Sequence, residues 1–198
     1  MNLFQKVMMV SIMTSTLSLN AQTSSVKQTN PLLKKSTLQY QAPPFNLIKD
    51  EHFKPAFEYA LKAHDAEIDK IANNKAKPTF QNTVLALELS GQDLTRVSSI
   101  FFKLVSANTN PSLQAIEEEF ATILSAHNDK IYLNSTIYKR IKAVKIDSLK
   151  GEDKKLTELY LKNFELSGAN LSDDKKEKLK KLNQDLAALT TEYSNTLL

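Results

Sequence analysis

Three histidines, His52, His64 and His127, are the residues of this sequence best suited to metal or acid–base chemistry. A zinc peptidase helix needs His-Glu-x-x-His, because residues four apart share a face and can ligate one ion. Here His52 is followed by Phe53, His64 by Asp65 and His127 by Asn128, so none begins that motif. A di-iron bundle needs glutamate three residues before histidine, and Lys49, Leu61 and Leu124 occupy those places. His64 and Glu67 lie three apart on one predicted helix, but two ligands alone make a poor site. His64 sits along an apolar stripe and is read as a packed or hydrogen-bonded histidine. His52, near a helix start, and His127, beside Asn128, are read as structural too.

Other chemistries are excluded by what is missing. The chain has no cysteine, which removes thiol catalysis, thiolate zinc sites and disulfides. Its three glycines are isolated, so there is no phosphate-cradling loop, dinucleotide fingerprint or Gly-x-Ser-x-Gly elbow. Glu117, Glu118 and Glu119 are neighbours that point around a helix and read as a solvated face. The run from Lys175 to Lys181 reads as the wet side of the final helix. A formal charge of +4 on 198 residues is no argument for nucleic acid. The chain is therefore expected to hold no catalytic, cofactor-binding or metal-binding residue of its own.

The elements that would position any such site are helical. Helix formers abound while glycine and proline are scarce, so the expected fold class is all-α, built of antiparallel helices. Residues 1–21 read as a secretory signal: a positive leader, an apolar run from Val7 to Leu19 and a small residue, Ala21, for cleavage. Residues 22–44 are polar and aperiodic and read as a flexible tether. Residues 45–198 read as the helical region. Phe53, Phe57, Ala60, Leu61, His64, Ile68 and Ile71 recur at helical spacing after Asp50, with Pro55 tolerable in the first turn. Thr79 opens the next segment and Gly91 breaks it. Asn110-Pro111 is a strong helix start, Asn134 caps a shorter helix, and Gly168 closes another as a left-handed cap. Ser172 caps the last helix. Its leucines, from Leu179 through Leu182, Leu186 and Leu189 to Tyr193 and Leu197, make one apolar seam. That seam still runs at Leu198 without a stop signal, so the chain is expected to be truncated at its C-terminal end, with the seam unsatisfied.

The order of these segments resembles a known family. Phe45 to Phe57 (FNLIKDEHFKPAF) is similar to the entry segment of the thimet oligopeptidase family of zinc metallopeptidases, and Pro78 to Thr83 (PTFQNT) to its next signature. Ser106 to Asn110, Ile131 to Asn134, and Ser167 to Ser172 with Asp174-Lys175 follow in the expected order. Leu94 to Phe102 (LTRVSSIFF) looks closest to the peptidyl-dipeptidase branch. Ala121 departs from the pattern, standing where relatives often carry proline.

The resemblance covers roughly Phe45 to Leu198. It implies the N-terminal helical region of a larger, two-sided helical enzyme that closes around a deep channel. In such an enzyme one zinc is held by His-Glu-x-x-His and a later glutamate, and the motif's glutamate is the general base. The peptidyl-dipeptidase branch releases dipeptides from the C-terminus of short peptides. All those residues would lie beyond Leu198, so zinc belongs to the complete enzyme and this fragment is expected to bind none and be inactive alone. Its expected partners are short peptide substrates in the complete enzyme and the remainder of the peptidase chain. No nucleic acid is expected, nor any membrane once the signal is cleaved. The expected location is exported, periplasmic or secreted. The alternative is a stand-alone exported helical module that binds peptides or proteins without catalysis.

Overall fold

Aromatic residues at spacings of three and four give the first long helix its buried face. In a computed structural model, which describes residues 30–197, that helix is α1, Phe53–Ala72. The expected signal segment, residues 1–21, lies outside the described residues. The chain divides into two units, Met1–His52 and Phe53–Leu198.

In the first unit, short 3-10 turns form at Pro31–Leu33, Gln39–Gln41, Phe45–Leu47 and Asp50–His52. Part of the segment read as a tether thus has local order. The Asn30 side-chain oxygen accepts from Leu32 N–H at 2.9 Å and its amide donates to the His52 carbonyl at 2.8 Å. Leu32 is buried.

The second unit contains the long helices. After α1 come a π-helical turn, Phe80–Leu85, running into Ala86–Glu88, then α2, Gln92–Asn108, and α3, Pro111–Tyr132. A short α4, Ser135–Lys142, is followed by α5, Gly151–Leu166, and α6, Asp173–Thr196. Among the described residues there is no strand. Most starts obey the expected cap chemistry. Thr79 and Asn82 form a reciprocal capping box. Asn110 accepts from the N–H groups of Ser112 and Leu113, and Asn134 from those of Thr136 and Ile137. Pro55 falls third in α1, where no intrahelical donor is lost. Gly168, at φ 95°, closes α5: its N–H reaches the Glu165 carbonyl while that of Ala169 reaches Phe164, a Schellman motif. Ser172 stands at the N-cap of α6, but its side chain makes no capping hydrogen bond.

Contacts give the helix directions. Phe53 and Phe57 of α1 meet Phe101 of α2 edge-on, at 5.0 and 5.3 Å between ring centres. Further along α1, His64 meets Ser90 and Glu67 meets Gly91, so α1 and α2 are antiparallel. Phe57 stacks on Phe120 and His64 meets His127, so α1 and α3 run parallel. On α6, Asn183 binds Asp129 and Asn195 binds Glu118, so α6 descends antiparallel to α3. One aromatic core, Phe53, Phe57, Phe101 and Phe120, joins α1 to α3 at one end. A second, around Ile68, Val84, Ile137, Ile141 and Phe164, joins α1, the π-helical turn, α3, α4 and α5 at the other. Large rings fully removed from water each stabilise by about 1.5–3 kcal/mol.

Two expectations about charge and exposure are corrected. Lys176 is not on a wet face: it is buried, and its ammonium donates to Ser135 Oγ at the start of α4. The stem of a lysine can line an interface while its head finds an oxygen, which a charge pattern does not distinguish from solvation. Leu179, expected on the unsatisfied seam of α6, is half-buried. The rest of that seam points outward, as expected, with Leu182, Leu186, Leu189, Tyr193 and Leu197 all more than 60% exposed. The face that packs on α3 is instead polar, carrying Asn183 and Asn195.

Candidate functional site

A connected group of titratable side chains lies midway along α1 and α3. His64 projects from α1 and His127 from α3, and His127 Nε2 lies 2.9 Å from His64 Nδ1. The other nitrogen of His64, Nε2, is 3.2 Å from Ser90 Oγ, which donates to the Leu87 carbonyl at 2.7 Å. The other nitrogen of His127, Nδ1, is 3.3 Å from Asp65 Oδ1, which Lys130 Nζ also approaches to 2.9 Å. A single polar chain, Asp65–His127–His64–Ser90, thus crosses three elements. Gly91 makes room for it. An added Cβ there would meet the His64 ring at 2.7–2.9 Å, and φ of 69° favours glycine independently.

Burial lowers the pKa of both rings below the ordinary histidine value. For His64 the charges of Glu67 and Asp65 oppose that shift. For His127 the neighbouring His64 ring and Lys130 reinforce it, while Asp65 opposes it. Beside His64 opens a cavity of about 190 Å³. Ile68, Leu87 and Phe164 form its apolar wall, and Ser90, Glu88 and Asn128 its polar rim. Tyr160 of α5 closes it, donating to Glu88 Oε2 at 2.8 Å, and burial raises the phenol's pKa.

The order serine, histidine, histidine, aspartate suggests a nucleophile with a proton relay. Acyl transfer also needs free backbone donors where the oxyanion forms. The two amides of that turn are committed: Ser90 N–H to the Leu87 carbonyl, Gly91 N–H to Glu67 Oε2 at 2.7 Å. Metal binding fares no better. Among the described residues no group of three or more His, Cys, Asp or Glu could hold an ion. The facing nitrogens of His64 and His127 are spent on each other.

The remaining candidates separate. His52 is buried in the first unit, its Nδ1 accepting from Lys49 N–H at 3.1 Å. Glu67 turns to Gly91 rather than joining His64 as a ligand. Glu119 pairs with Lys54 at 2.6 Å and Glu118 accepts from Asn195, so the three glutamates diverge around α3. Glu117 is partly covered, and desolvation raises its pKa. The meeting of His64 and His127 was missed from sequence; the one available signal was that both stand at inward positions of long helices.

Comparison with known proteins settles the kinship. No family model matches the chain. It is 42% identical to a dipeptidyl carboxypeptidase of Salmonella typhimurium over 174 residues, 86% of this chain and 26% of that enzyme. The chain is a relative of the dipeptidyl carboxypeptidases. The Escherichia coli dipeptidyl carboxypeptidase is likewise 42% identical, across 85% of this chain and 25% of the enzyme. Oligopeptidase A of Escherichia coli is 28% identical across 86% of this chain. The chain spans about a quarter of the length of the dipeptidyl carboxypeptidases it matches.

Proposed function

We propose that this chain is one part of an exported zinc metallopeptidase that releases dipeptides from the C-terminus of oligopeptides. Its helices form part of the wall of the substrate channel. The observation that carries this reading is the 42% identity to dipeptidyl carboxypeptidase along 86% of the chain. The outward seam of α6 supports it, because a contiguous apolar stripe of this kind marks an interface. Export rests on the leader of residues 1–21. Zinc does not fit this chain's own described residues, so the remaining three quarters would supply its ligands and the chemistry. What these residues contribute is shape: two packed cores that hold α1 to α5, with α6 laid along α3 by polar contacts.

The test is to produce the chain joined to the polypeptide encoded downstream of Leu198 and to assay an N-blocked tetrapeptide. Release of the C-terminal dipeptide, dependent on bound zinc and absent for the chain alone, is the expected result. Absence of a downstream zinc motif, or no dipeptide release by the joined product, refutes the reading. A stand-alone binding module would then be the better account.

A further inference from the structure

We propose that the Asp65–His127–His64–Ser90 chain is a pH-responsive latch that clamps α1, α3 and the Ser90–Gly91 turn together and opens when both rings are protonated. This rests on proton counting within the observed distances, not on the peptidase reading. With both rings neutral, donors can run one way along the chain. The Ser90 hydroxyl donates to His64 Nε2, His64 Nδ1–H to His127 Nε2, and His127 Nδ1–H to Asp65. That direction takes the Ser90 proton away from the Leu87 carbonyl, its observed acceptor.

One added proton on His127 lets the chain run outward from that ring. Nδ1–H then points to Asp65 and Nε2–H to His64 Nδ1, while His64 Nε2–H points to Ser90, which keeps Leu87. Every link is made. A second proton must go on His64 Nδ1, where it faces His127 Nε2–H across 2.9 Å with no acceptor between. Two half-buried cations then repel at contact, and the link between α1 and α3 is lost.

The surrounding charges set the pH window. From α1, Asp65 and Glu67 favour protonation; from α3, Lys130 opposes it. Glu88, Tyr132 and Tyr160 line the cavity that His64 borders. On α2, Asp93 pairs with Arg96 at 2.7 Å. On α4, packed beside α1, Arg140 is engaged by the Asn74 carbonyl. On α6, packed on α3, Lys180 bears on Asp129. Desolvation outweighs the favourable charges for both rings. The neutral forms are therefore favoured in the folded state. Stability from the latch is lost as pH falls below the unfolded-state histidine value of 6.5, where the unfolded rings take up two protons and the folded pair resists the second.

The experiment is urea unfolding of the full chain from pH 7.5 to 5. The wild-type unfolding constant should rise by up to about tenfold per pH unit for each ring still neutral in the folded state. In the double variant His64→Gln, His127→Gln, amides keep a donor and an acceptor but cannot charge, and this part of the rise should vanish. An unchanged pH slope in the double variant overturns the proposal. If the variant fails to fold, an NMR titration of the wild-type ring nitrogens decides. Two rings titrating below 6.5, each perturbing the other's resonances, is the expected outcome. Independent titration at or above that value overturns it.

Discussion

Arg140 offers the sharpest test of how the second unit is held together. It is 8% exposed, yet no carboxylate among the described residues meets it. Its guanidinium donates to the Asn74 carbonyl at 2.6 Å and reaches Ala76 at 3.4 Å, both in the loop after α1. The other terminal nitrogen reaches Asn82 Oδ1 at 3.2 Å and Thr83 Oγ1 at 3.3 Å, in the π-helical turn. One planar fork thus ties α4 to the loop after α1 and to the π-helical turn. Arg140→Met keeps most of the volume but removes every donor. The Asn82 oxygen keeps its bonds from Thr79 N–H and Thr83, so the main loss falls on Asn74. Hydrogen bonds from a charged donor contribute about 1.5–3 kcal/mol each, and the desolvation of the lost cation is recovered. The net expectation is a loss of about 3 kcal/mol. Arg140→Lys should cost about 2 kcal/mol, because one ammonium cannot reach both segments at once. Urea titration followed by far-ultraviolet circular dichroism measures both. A methionine variant within about 0.5 kcal/mol of wild type, with an unchanged slope, would refute the reasoning.

Gly168→Ala should destabilise the chain by more than about 1 kcal/mol, since φ is 95° and the new Cβ would lie 2.8 Å from Leu171 Cδ1; thermal melting checks this. Leu182→Lys with Leu189→Lys should change the stability of the chain by no more than about 0.5 kcal/mol per site, because both are more than 60% exposed. The same pair should reduce binding of a hydrophobic dye and, on the proposed peptidase reading, block assembly with the polypeptide that completes the enzyme. A loss of several kcal/mol in the chain alone would show that the seam is buried within it.

How much of this was legible depended on whether the signal was local. Asn110-Pro111, Thr79 with Asn82, and Gly168 act on their own backbone, so sequence placed those boundaries well. Phe53, Phe57, Ile68 and Ile71 were legible as a buried stripe because a 3.6-residue period is a property of one helix. Which neighbour a helix meets is not written locally. His64 and His127 are 63 positions apart, and nothing in either segment announces the other. Lys176 looked like a solvated lysine because its burial depends on a partner on another helix, Ser135 of α4. The fork of Arg140 needed a loop and a π-helical turn that no periodicity reveals.

Gly91 carries a lesson for natural and engineered variation. Its missing side chain is the space the His64 ring fills. Positions 64 and 91 are therefore expected to change as a pair across descendants of this chain. A smaller residue at 64 relieves the crowding at 91 but not its positive φ, so asparagine would be the tolerated newcomer there. A library that varies either position alone would discard combinations the fold can accept.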